Sequence, residues 1–242
     1  MILLRGLSIG YGQRRLLEAV ECEIHSDSLS ALIGRNGSGK STLLRALAGL
    51  KTDYTGEILV DGLPLRGMDG RRRSRTIAFV NTARARVADM RCFDAVAVGR
   101  APYTGWTGRL APADMAAVTD ALEAVGMAEY ADRTLDTLSD GECQRVMIAR
   151  ALAQDTPVLL LDEPTSFLDL PNRYELVRLL SRLARERHKT VVISTHELEI
   201  ALRLADTILL IDPPRLLDIP APAAAPVVSR IFNLPELGGC GR

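Results

Sequence analysis

Residues 34–42, Gly34-Arg35-Asn36-Gly37-Ser38-Gly39-Lys40-Ser41-Thr42, follow the pattern G-x-x-x-x-G-K-[ST]. They come directly after an apolar run ending at Ile33 and directly before a helical pattern starting at Lys40, the strand-to-helix setting in which such a loop wraps a chain of phosphates. The glycines let successive backbone N–H groups turn toward one point, and the helix N-terminus adds about half a positive charge there. In that setting Lys40 reaches the β- and γ-phosphates of a nucleotide, and the Ser41 hydroxyl is a ligand for Mg²⁺. A second piece of the same chemistry stands at Val158-Leu159-Leu160-Leu161-Asp162-Glu163, an apolar run ending in two carboxylates. Asp162 at the strand tip suits the water shell of Mg²⁺. Glu163, one residue on, suits accepting a proton from the water that attacks a γ-phosphate.

Between the two lies Leu138-Ser139-Asp140-Gly141-Glu142-Cys143-Gln144-Arg145, and here the chain resembles the ATP-binding cassette (ABC) ATPases, whose LSGGQ signature sits shortly before the acidic strand. Ser139 precedes Asp162 by 23 residues, a spacing typical of that family. Tyr11 ahead of the loop, Leu168-Asp169 after the acidic pair and Ser194-Thr195-His196 after another apolar run complete the family order, so the resemblance covers about residues 1–212. It implies an α/β fold: a P-loop NTPase core with a mainly parallel sheet, an antiparallel β subdomain and an inserted helical subdomain. It further implies that Tyr11 stacks on adenine, that Asp169 lies at a dimer interface, and that His196 holds the γ-phosphate and the attacking water. In the family two copies sandwich two ATP molecules. The signature residues Ser139, Gly141 and Glu142 then belong to the nucleotide site, with Ser139 and Gly141 acting on ATP held by the other copy.

Two departures stand out. Asp140 and Glu142 replace the first Gly and the Gln of the signature, which sets two carboxylates near a triphosphate. Ser139-x-x-Glu142 also fits a capping box, in which Ser139 caps the helix and Glu142 bonds back to the Ser139 N–H; capping is the favoured reading for Glu142. After Ala78-Phe79-Val80 the family places Pro-Gln, where this chain has Asn81-Thr82, so the glutamine that meets Mg²⁺ is replaced by the shorter Thr82. Ala95 to Arg100, Pro102 to Trp106 and Gly108 to Leu110 resemble a helical-domain segment of importers of iron-siderophore complexes, haem and cobalamin. Within it Tyr103 and Trp106 read as exposed loop aromatics suited to a partner contact.

The elements that must position these residues follow from periodicity. Apolar runs at 2–4, 29–33, 57–60, 77–80, 158–161, 191–194 and 208–211 predict strands, several buried on both faces. Helical patterns at 40–48, 113–125, 141–153, 172–187 and 198–204 alternate with them, which predicts a mainly parallel α/β sheet. Between about residues 82 and 154 the pattern holds helices but no strand, so a helical subdomain is expected to interrupt the α/β domain of residues 1–212. Residues 213–242 hold PAPAAAP and read as a poorly ordered Pro/Ala-rich tail with at most a short helix around 227–232. The run Arg71-Arg72-Arg73-Ser74-Arg75 reads as a solvated loop.

Composition narrows the class. Thirty Lys+Arg balance thirty Asp+Glu, which removes the bulk attraction behind nonspecific nucleic-acid binding. No run approaches the roughly 18 apolar residues of a membrane span, and the N-terminal segment does not read as a signal peptide. Four scattered cysteines without a CxxC pair indicate neither a zinc site nor a disulfide framework. The expectation is an ATP- and Mg²⁺-dependent ATPase that works as a homodimer with separate transmembrane permease subunits at the cytoplasmic face of the membrane. A periplasmic or surface substrate-binding protein would be an indirect partner. The alternatives are a soluble ABC ATPase of iron-sulfur cluster assembly and a P-loop small-molecule kinase; the signature and His196 argue against the kinase.

Overall fold

The computed structural model describes residues 1–12, 14–81 and 87–235. Its chain begins with two long strands, β1 (Ile2–Tyr11) and β2 (Arg14–Ile24), followed by β3 (Ser28–Gly34) and helix α1 (Lys40–Leu47). Strands β4 (Tyr54–Val60) and β5 (Leu63–Pro64), helix α2 (Gly70–Thr76) and strand β6 (Ile77–Val80) come next. Helices α3 (Cys92–Ala97), α4 (Pro112–Ala124) and α5 (Asp140–Ala153) precede β7 (Val158–Leu161). The chain then alternates through α6 (Leu170–Glu186), β8 (Thr190–Ser194), α7 (Leu198–Leu204) and β9 (Thr207–Asp212), and continues as β10 (Arg215–Pro220) and α8 (Ala221–Phe232).

Among the described residues the strands form two sheets. One is antiparallel, in the order β2-β1-β4-β5; the other runs β10-β9-β3-β8-β7-β6, with β9, β3, β8, β7 and β6 parallel and β10 antiparallel at the edge. Helices on both faces of the parallel strands bury them from two sides, which is why Leu29 to Ile33 and Val158 to Leu161 carry no polar alternation. One core lies between the antiparallel sheet, α1 and one face of the large sheet; the other fills the opposite face with α3 to α8. The loop after β3 and the acidic pair after β7 thus emerge at the same end of the sheet, with β8 between them.

Three expectations change. The segment from residue 215 is not a loose tail: β10 pairs with β9 from Arg215↔Asp212 to Pro220↔Thr207, and α8 buries Ala221, Ala224 and Val228. Those residues recur at helical spacing on one face, and Pro222 sits in the first turn, where its missing N–H costs nothing, so the Pro/Ala composition hid a packed element. The arginine run is helix α2 rather than loop, capped by Asp69, whose Oδ1 accepts the Arg72 N–H at 2.7 Å. Strand β2 escaped the apolar pattern because half its residues face outward and Ala19 breaks its regularity at φ 46°.

Candidate active site

The glycine-rich loop turns from β3 into α1 through Gly39, whose φ of 109° is reserved for glycine. A Cβ at Gly34 would stand 2.5 Å from Ser38 Oγ, so that position also has no room for a side chain. Buried Lys40 donates through Nζ to the Gly34 carbonyl at 3.0 Å, folding its ammonium back over the loop. Arg35 accepts the Ser38 N–H through its carbonyl at 3.0 Å, and Arg14 donates to the Gly37 carbonyl at 3.1 Å. Ser38 Oγ is buried with no hydrogen-bond partner among the described atoms. A cradle closed to side chains, an orphaned hydroxyl and a buried ammonium form a donor-rich concavity that fits a polyphosphate. Asn36 and Thr42 flank it, and the Thr42 hydroxyl lies 3.4 Å from the Tyr11 hydroxyl. Tyr11 is 54% exposed, and Lys51 Nζ sits 4.2 Å from its ring centre.

Across the sheet end, Asp162 is buried and its Oδ1 accepts two hydroxyl protons, from Ser41 at 3.0 Å and from Ser194 at 2.6 Å. The metal-ligand candidates Ser41 and Asp162, far apart in sequence, therefore meet directly. A hydroxyl and a carboxylate oxygen are the hard donors that Mg²⁺ takes, so the pair fits that ion. Glu163 adopts φ 47°, a left-handed backbone costing of order 1–3 kcal/mol, and its N–H donates to Ser194 Oγ at 2.8 Å. Its carboxylate accepts the Ser166 hydroxyl at 3.1 Å and faces His196 Nδ1 at 3.8 Å. His196 Nε2 lies 3.2 Å from Glu197, which pairs with Arg173; Arg173 Nε in turn donates to the Leu168 carbonyl at 2.7 Å.

Ser139 and Glu142 form the capping box at the start of α5. The Glu142 N–H donates to Ser139 Oγ at 3.3 Å, while Glu142 Oε2 accepts the Ser139 N–H at 2.8 Å and its hydroxyl at 2.7 Å. These bonds from the Ser139 hydroxyl and N–H hold the Glu142 carboxyl below the usual range. Gly141 abuts Leu168, and Asp169 caps α6 by accepting the Asn172 N–H at 3.1 Å. Thr82 lies outside the described residues. Trp106 is 99% exposed, but Tyr103 is not free: it is sandwiched between the guanidinium groups of Arg75 and Arg100, 4.5 and 3.9 Å from its ring centre. Sequence reasoning missed the Ser194 bridge, Ser166 and the Arg173–Glu197 pair. Ser194 alone had a local signal, a polar residue at the tip of an otherwise apolar strand.

A glycine-rich loop, an acidic strand tip and a histidine lie at one end of a parallel sheet, an arrangement that fits a nucleoside triphosphate. Residues 17–166 match the family described as ABC transporter, and the chain belongs to that family. It is similar to the petrobactin import ATP-binding protein FpuD of Bacillus anthracis, 38% identical over 85% of this chain and 75% of the relative. It is also similar to the ferric enterobactin transport ATP-binding protein FepC of Escherichia coli, 36% identical over 96% of this chain and 87% of the relative. The solved dimeric structure of a bacterial ABC transporter cassette, MJ0796, superposes with a TM-score of 0.77 at 27% identity, covering 91% of this chain and 99% of that one.

Proposed function

We propose that this chain is the ATP-hydrolysing subunit of an importer for an iron-siderophore, haem or cobalamin ligand. The observation that carries the catalytic part is the Ser41–Asp162 pair joined through Ser194 to Glu163, which faces His196. Backbone N–H groups of residues 34–42 and Lys40 bind the phosphates, Ser38 finds its partner there, and Tyr11 stacks on the base. Ser41 and Asp162 hold Mg²⁺, which when bound neutralises charge on the β- and γ-phosphates. Glu163 takes a proton from the attacking water, and His196 orients the γ-phosphate. Ser139 and Gly141 complete the site of a second copy.

The import reading rests on the relatives, whose names assign them petrobactin and ferric enterobactin. Such relatives give no support to the iron-sulfur assembly reading. No described helix is long and apolar enough to cross a membrane. In this proposal separate permease subunits form the translocation path, and this chain meets them at the cytoplasmic face. A substrate-binding protein is the indirect partner, and nucleic acid is not one. Isolation of the native complex tests the assignment together with uptake in a deletion strain. Permease subunits should co-purify, and uptake of ferric chelates, haem or cobalamin should fall. Soluble scaffold partners and unchanged uptake would overturn it.

A further inference from the structure

Strand β8 lies between β3, which delivers the phosphate loop, and β7, which delivers the two carboxylates. Its last residue, Ser194, pairs with Leu32 on one side and follows the Leu161↔Ile193 pair on the other, which puts its side chain beside Asp162. Val191, Val192 and Ile193 before it are apolar and buried, and Ser194 itself is 0% exposed. A hydroxyl there is costly unless it is bonded. Both its capacities are used: it donates to Asp162 Oδ1 at 2.6 Å, a short charge-assisted bond, and accepts the Glu163 N–H at 2.8 Å.

The geometry points to Ser194 as a positioning residue that sets both carboxylates at once, orienting Asp162 and holding Glu163 in its left-handed backbone. Ser41 bonds the same Asp162 oxygen, but of these two hydroxyls only that of Ser194 also reaches Glu163. Without the Ser194 hydroxyl the Glu163 N–H loses its acceptor, and the φ of 47° loses the bond that holds it. The two acidic residues would then drift independently, Asp162 away from its metal geometry and Glu163 away from the attacking water. This inference rests on the proposed roles of Asp162 and Glu163.

The test uses S194A, which deletes the hydroxyl, and S194T, which keeps it. In S194A the Mg²⁺ concentration for half-maximal turnover should rise and kcat should fall, each by about 10- to 100-fold, the worth of one hydrogen bond to a charged group. ATP affinity in EDTA should stay within about twofold, because the phosphate loop is untouched. S194T should recover most of both losses. In an E163Q background, where turnover is removed, S194A should still shift the Mg²⁺ midpoint of ATP-driven dimerisation. Should thermal unfolding show S194A unfolded, S194C carries the same test, being near in size and a weaker donor. A folded S194A or S194C with wild-type Mg²⁺ dependence and kcat overturns the inference, as does equal impairment of S194A and S194T. Failure of E163Q to lower hydrolysis would instead overturn the roles beneath it, so the two failures are distinguishable.

Discussion

Lys40 is buried, and its Nζ donates to the Gly34 carbonyl inside the loop proposed to bind phosphate. Replacing it, K40A, should weaken ATP binding by about 1.5–3 kcal/mol, the range for hydrogen bonds to a charged group. Titration calorimetry reads this directly, and an unchanged affinity would remove the phosphate-loop assignment. Glu142 poses a different question, since its carboxylate accepts the Ser139 hydroxyl, which in the proposed function acts on a partner's nucleotide. Gln is also accepted in a capping box, so E142Q should cost little stability. Removing the charge should tighten ATP-driven dimerisation at low salt, with the gain fading as salt rises. Sedimentation velocity across salt concentrations measures it, and a salt-independent change would show that repulsion plays no part.

Elements carry consequences that single residues do not. Helices α4 and α5 each carry in the first turn a carboxylate held below its ordinary range: Asp114 first by the Ala111 N–H and then by Arg100, and Glu142 by Ser139. A depressed folded pKa contributes stability that is full above the unfolded value and is lost as pH falls through the folded one. With unfolded values near 3.9 for Asp and 4.3 for Glu, stability of α4 and α5 should hold above about pH 5 and fall in the acid range below. Unfolding followed by circular dichroism against pH should show this fall, and its slope should lessen in D114N. Truncation before Arg215 tests the end of the fold. It strips β10 from β9 and uncovers the core under Val228, itself worth about 1.5–3 kcal/mol, so urea stability should drop; a neutral truncation would suit the loose tail instead. The same elements show what the sequence could reveal. Strands β6 and β7 and helix α7 were legible to the residue, because buried parallel strands and amphipathic helices write their own period. Strand β2 was not, and of helix α8 only the end at 227–232 was, since an outward-facing edge and a Pro/Ala composition resemble loop. The phosphate loop and acidic pair are contiguous in sequence and were legible. The Ser194 bridge was not, because it is formed by register between strands.

At the scale of the molecule, the fold gathers the phosphate loop, the acidic strand tip and His196 at one end of the parallel sheet, while Ser139 and Gly141 sit at the start of α5. Family membership joins the chain to ATP-driven transport, and the similar solved cassette is a dimer. A balanced net charge leaves no broad field to drive association, and in the proposed function the nucleotide bridges two copies. That makes E163Q the most direct measurement of the account. With the proton acceptor gone but every binding group in place, hydrolysis should fall by about 10² to 10⁴, the usual worth of a positioned general base. ATP affinity should be retained, and sedimentation velocity should show a dimer trapped by ATP. Turnover at the wild-type rate with no ATP-dependent dimer would contradict it.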